Sequence, residues 1–251
     1  VARRREPSRH ALPVRRVEAA DGVDLPRGTW PRSVPAVDQL LTEGLDLGPV
    51  TVLVGENGSG KSTLVEAVAA AYGLNPEGGS TNAMHSSRRS ESALHEALRV
   101  SRGLTASKWG FFLRAETMHG LYTYLENLET LGDNPDDDLH EMSHGESFAE
   151  ILARKFRSPG LYVLDEPESA LSFSACLGLV GLLADLAASG RSQVVLATHS
   201  PVVAAVPGAT ILQLDEDGYH EVAWEDLALV EHYRRFLEAP QRYLRHVLAD
   251  D

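Results

Sequence analysis

Residues 55–63 read GENGSGKST: Gly55-Glu56-Asn57-Gly58-Ser59-Gly60-Lys61-Ser62-Thr63. Spaced glycines followed by a lysine and two hydroxyls fit the pattern G-x-x-x-x-G-K-[ST]. Each part has a physical reason. The glycines let backbone N–H groups curl inward around an anion. A helix starting just after them would point the positive end of its dipole at the same place. Asn57, Gly58, Ser59, Gly60, Lys61, Ser62 and Thr63 are therefore the phosphate-binding candidates. Lys61 serves the β- and γ-phosphates, and the Ser62 hydroxyl can ligate Mg²⁺. The flanks give the context the pattern needs. VTVLV (50–54) reads as a strand, and STLVEAVAAAY (62–72) places Leu64, Val65, Val68, Ala69 and Tyr72 on one helical stripe.

Three more apolar runs resemble the first: LYVL (161–164), QVVLA (193–197) and ATILQL (209–214). They are continuous rather than alternating, as expected of parallel strands covered on both faces. Strands alternating with helices predict an α/β fold with a P-loop NTPase core. Residues 172–188 are apolar nearly all round and predict a buried helix. Residues 92–115 predict two strands joined by SRGLTASK, an antiparallel part added to the core. TMHGLYTYLENLETL (117–131) reads as helix, and GDNPDDDLHEM as an acidic loop. MSHGES (142–147) opens another helix, FAEILARKF. A small helical lobe is thus inserted at about 117–157 of a single domain spanning 1–251. WEDLALVEHYRRFLEA and PQRYLRHVL predict two final helices, the second starting at Pro240.

LYVLDEPESALS (161–172) sets Asp165 and Glu166 at the end of an apolar strand. In a parallel sheet that end faces the ligand crevice. Asp165 is the Mg²⁺ candidate, and Glu166 is free to act as general base on a water facing the γ-phosphate. VVLATHSP (194–201) ends a second strand with His199, which can hydrogen-bond a γ-phosphate oxygen and sense its presence. Lys61, Glu166 and His199 make up the catalytic set. MSHGES, as a helix start with free N–H groups, is a second anion site.

Composition narrows the class. The 251 residues carry 23 Lys and Arg against 36 Asp and Glu, a net charge of −13. The first sixteen residues hold six arginines and one glutamate, so the remaining body carries −18. An acidic body is a poor general surface for polyanions. Residues 1–16 predict a solvated, flexible basic tail, with a nucleic-acid arm as the competing reading. The single cysteine, Cys176, excludes an internal disulfide framework, fits a reducing, cytoplasmic compartment, and lies among apolar neighbours as inert core. No run approaches the length of a membrane span.

Together GENGSGKST, MSHGES, LYVLDEPESALS and ATHSP resemble the ABC-type ATPases in order and spacing, over roughly residues 30–215. THSP and GLNPEGGS bring the chain nearer to the small soluble bacterial ATPases related to RecF and SMC heads. The resemblance implies that 142–147 is the signature sequence, where Ser143 and the Gly145 amide would contact ATP held by a second copy. His144 and Glu146 depart from the usual Leu-Ser-Gly-Gly-Gln. It implies a D-loop at SALS (169–172), and Glu116 as the Mg²⁺ ligand where a glutamine is usual. It also implies Trp30 as the aromatic that stacks on adenine. The expectation is a homodimer that closes around ATP and Mg²⁺ and drives or switches a protein partner. A DNA-associated ATPase and the energising subunit of a transporter are the alternatives.

Overall fold

The computed structural model describes residues 12–23, 25–75, 78–80, 93–114, 156 and 158–247. Ten strands are found there: β1 (Arg16–Ala19), β2 (Leu45–Asp46), β3 (Val50–Gly55), β4 (Gly79–Ser80), β5 (Leu98–Ser101), β6 (Gly110–Arg114), β7 (Leu161–Asp165), β8 (Gln193–Thr198), β9 (Thr210–Asp215) and β10 (Gly218–Glu221). The main sheet runs β10-β9-β3-β8-β7-β6-β4. Its five inner strands are parallel, and β10 and β4 are antiparallel edges. The four apolar runs are β3, β7, β8 and β9.

The strands bury side chains on both faces with a period of two. Leu53, Leu161, Val163, Val195 and Ala197 pack on one face. Val52, Val54, Tyr162, Leu164, Val194 and Leu196 pack on the other. Helices α1 (Pro35–Glu43) and α2 (Lys61–Tyr72) cover the first face, and the predicted stripe of α2 is buried. Helix α3 (Phe173–Ala188) covers the second, entering through a cap in which Ser172 Oγ accepts from the Ala175 amide at 3.2 Å. Helices α4 (Ala228–Glu238) and α5 (Pro240–Val247) follow β10, with α5 starting at Pro240.

Three expectations change. First, α3 is not buried all round. Ala175, Cys176, Leu179, Leu183 and Leu186 form its buried stripe, while Phe173 is 66 % and Leu177 52 % exposed. Apolar composition cannot tell one covered face from two. Second, β5 and β6 do not pair with each other. β5 joins a separate antiparallel sheet, β2-β1-β5, and β6 lies against β7 in the main sheet. Third, residues 12–16 are not a free tail. Leu12 and Val14 are buried and Arg16 begins β1. Buried Gln193 is the reason. Its side chain accepts from the Val14 amide at 2.8 Å and donates to the carbonyls of Val14 and Gly48 at 2.6 and 2.9 Å. Arginines 15 and 16 read as tail by charge alone, yet Arg16 is paired with Glu18 and Asp46. Residues 1–11 and the predicted lobe at 117–157, except Phe156 of its final turn, lie outside the described residues.

Candidate active site

β3, β8 and β7 are neighbours, and their registers bring Val54 beside Thr198 and Ala197 beside Asp165. The three sequence motifs that follow these strands therefore open together at the carboxyl ends of the strands. The phosphate loop lies at the end of β3. Gly58 and Gly60 have φ of 82° and 97°, where a side chain is strained. At Gly60 a Cβ would also stand 2.5 Å from Val34 Cγ1. Helix α2 starts with no side-chain cap, so its first amides remain for an anion. The Ser59 hydroxyl is buried and takes no hydrogen bond. These features make a cradle of backbone donors.

Lys61 is 4 % exposed and donates to the carbonyls of Gly55 and Glu56 at 2.9 and 3.0 Å. Burial lowers its pKa, and the charges of Glu166, Asp165 and Glu168 oppose that shift. The Ser62 hydroxyl donates to Asp165 Oδ1 at 3.0 Å, across 103 residues of sequence. Burial pushes the Asp165 carboxyl up to about 6, against the pull of the Ser62 hydrogen bond. Two hard oxygen donors side by side, next to a phosphate cradle, suit Mg²⁺, which takes few protein ligands and completes its shell with water and phosphate.

Glu166 follows Asp165 with φ 48° and ψ 52°, the one non-glycine residue with positive φ among the described residues. Its Oε1 comes within 2.7 Å of His199 Nε2, and each side chain is one third exposed. The contact lacks hydrogen-bond alignment. Its backbone N–H donates to the Ala197 carbonyl at 2.9 Å, tying the end of β7 to β8. Trp30 is 60 % exposed, on the loop that runs into α1 through Val34, the residue against Gly60. Lys61, Ser62, Asp165, Glu166 and His199 are thus brought together. Glu116, Ser143 and Gly145 lie outside the described residues.

Two groups escaped the sequence reading. Arg114, at the end of β6, pairs with Glu66 of α2, and both charges act on Asp165. The letters FFLRAE held that arginine, but only the pairing of β6 with β7 brings it beside Asp165. Glu168 sits inside DEPES, where nothing in the sequence distinguishes it from a solvated turn residue. In the fold it accepts three hydrogen bonds from residues 198–200.

Comparison with known proteins bears on the family. A family model described as ABC transporter matches residues 41–169. An AAA domain model, described under the AbiEii toxin of type IV toxin–antitoxin systems, matches residues 138–205. Aliphatic sulfonates import ATP-binding protein SsuB 2 of Mesorhizobium japonicum is 30 % identical over 242 residues, 94 % of this chain and 92 % of that one. Arabinose import ATP-binding protein AraG of Ralstonia nicotianae is 29 % identical over 192 residues, 68 % of this chain. The match spans only 37 % of AraG. A solved metal-chelate type ABC transporter, in an inward-facing conformation, aligns with 90 % of this chain and 89 % of its own at 19 % identity and a TM-score of 0.47. With a family model over half its length and a relative matched nearly end to end, the chain belongs to the ABC-type ATPase family.

Proposed function

We propose that the chain binds ATP with Mg²⁺ and hydrolyses it as a head-to-tail homodimer. Each phosphate loop would face Ser143 and Gly145 of the other copy. The observation that carries this reading is the meeting of Ser62 with Asp165, and of Glu166 with His199, at the carboxyl ends of the strands where the phosphate loop opens. The loop amides hold the β-phosphate. Lys61 exchanges the carbonyls of Gly55 and Glu56 for phosphate oxygens. Ser62 and Asp165, with Glu116, would hold the Mg²⁺, which would neutralise charge on the phosphate oxygens. Glu166 takes the proton of a water whose oxygen attacks the γ-phosphorus, and the bond to the ADP oxygen breaks with its electrons leaving on ADP. His199 hydrogen-bonds a γ-oxygen as charge builds there. Trp30 stacks on the adenine. Loss of the γ-phosphate opens the dimer, and that motion drives a partner in the cytoplasm.

Glu166→Gln tests the reading. It is expected to bind ATP, lose at least ~100-fold in turnover, and accumulate as dimer in light scattering. Parent-like turnover would overturn the assignment of the base. Ser143→Arg is expected to bind nucleotide as a monomer and form no dimer. A second reading is favoured by the match to a sulfonate import protein along 94 % of this chain. In it, the partner is a membrane component of a transporter. No described helix is long and apolar enough to cross a membrane. Recovery of the Glu166→Gln chain with membranes in ATP would select it.

A further inference from the structure

We propose that Glu168 is a positioning residue, whose carboxylate holds the backbone of residues 198–200 so that the His199 ring stays against Glu166. Glu168 lies in the 3-10 turn Pro167–Ala170, directly after Glu166. Its Oε1 accepts from Thr198 Oγ1 at 2.5 Å, from the His199 amide at 2.7 Å and from the Ser200 amide at 3.1 Å. The Ser200 amide is shared with Thr198 Oγ1 at 3.0 Å, so the hydroxyl both donates to the carboxylate and receives from the loop. Thr198 itself is fully buried. The turn carrying Glu168 is closed by Ser169 N–H on the Glu166 carbonyl at 3.1 Å and by Leu171 N–H on the Glu168 carbonyl at 2.9 Å.

Two ties therefore fix the base against the switch. The Glu166 amide on the Ala197 carbonyl sets the strands, and the Glu168 carboxylate sets the loop beyond β8. Without the second tie, the His199 amide would turn to water and the Ser200 amide would keep only Thr198 Oγ1. The ring would then lose its fixed place 2.7 Å from Glu166. A carboxylate suits the task because it accepts only, and one ionised oxygen can take several donors. Glu168 Oε2 is buried and takes no hydrogen bond, so the clamp works through a single oxygen. A glutamine turned with its carbonyl oxygen toward the loop keeps that oxygen and removes the charge.

The catalytic consequence rests on the hydrolysis proposed above, whereas the clamp itself can be read without turnover. The experiment compares the full chain with Glu168→Ala, Glu168→Gln and Thr198→Val. Amide hydrogen exchange at residues 199 and 200 and steady-state ATP hydrolysis are measured on each. Exchange at the His199 amide is expected to accelerate at least tenfold in Glu168→Ala, with a smaller rise at Ser200, whose amide keeps Thr198 Oγ1, and both are expected to stay within about threefold of the parent in Glu168→Gln. In hydrolysis, Glu168→Ala is expected to lose at least tenfold in kcat with KM within about twofold, and Glu168→Gln to recover most of it. Thr198→Val, which removes one donor, falls between, and keeps the test open should Glu168→Ala fail to fold. Unchanged exchange in Glu168→Ala overturns the clamp. Faster exchange with unchanged kcat, or a loss expressed in KM, overturns its service to catalysis, as does a Gln variant as impaired as Ala. A parent that turns over no faster than Glu166→Gln sinks the hydrolysis reading instead, and exchange still decides the clamp.

Discussion

Glu166 occupies the left-handed region at φ 48°, where a Cβ crowds the backbone and a non-glycine residue costs about 1–2 kcal/mol. The strain is local, because the Ala197 and Ser169 hydrogen bonds hold the backbone in place on either side. Asparagine tolerates that region better than glutamine. Glu166→Asn should therefore be more stable in urea than Glu166→Gln by ~0.5–1 kcal/mol. Beside it, the buried Asp165 carboxyl titrates at about 6, against 3.8 for a free aspartate. The folded state holds that proton more tightly than the unfolded chain. Below about pH 3 both states are protonated and the group costs nothing. Above about pH 6 the folded protein carries a buried charge, at a cost of about 3 kcal/mol. Asp165→Asn should thus stabilise the nucleotide-free protein by ~1–3 kcal/mol at pH 8 and have little effect at about pH 3, read from urea midpoints. If Asp165 holds Mg²⁺ as proposed, Mg²⁺-dependent nucleotide binding should weaken as pH falls through about 6.

At the scale of elements, the phosphate loop depends on a neighbour remote from the motif. Val34 at the entrance of α1 fills the space that a Cβ on Gly60 would need. The start of α1 is therefore packed against the loop that cradles phosphate. Gly60→Ala meets two obstacles, a positive φ and a methyl contact of 2.5 Å. It should cost about 2–3 kcal/mol in chemical denaturation and weaken nucleotide binding with it. Val34→Ala should return part of that loss in the double variant, because it removes the contact and leaves the φ strain. Strict additivity of the two substitutions would show that Val34 and Gly60 are not coupled.

For the whole molecule, net charge bears on the homodimer proposed above. Each chain carries −13, so closing a homodimer brings together two acidic bodies. Salt screens that repulsion, with a Debye length of about 30 Å at 0.01 M and about 8 Å at 0.15 M. The ATP-bound dimer of Glu166→Gln should therefore tighten several-fold between those salt concentrations, read by sedimentation. An arginine arm on DNA has the opposite sign, since counterion release makes binding weaken steeply with salt. Nucleic-acid binding that falls with salt and is lost on removing residues 1–11 would favour the DNA-associated reading.

The phosphate loop was legible letter by letter, because its chemistry is local. Glycines at fixed spacing, one lysine and one hydroxyl need only the strand before them and the helix after them. The parallel strands were legible too, since burial on both faces demands continuous apolar runs. The ends of those runs located Asp165, Glu166 and His199. Which strands lie side by side was not legible, and that decided the rest. The β3-β8-β7 order brings Ser62 to Asp165 and His199 to Glu166, and it turns Glu168 from a turn residue into the acceptor of three donors. The separation of β5 from β6 and the anchoring of Val14 by Gln193 belong with it, since hydrogen bonds spanning up to 179 residues leave no periodic mark in a sequence. Local composition sets which groups can do chemistry, and the crossing of the chain through the sheet sets which of them meet.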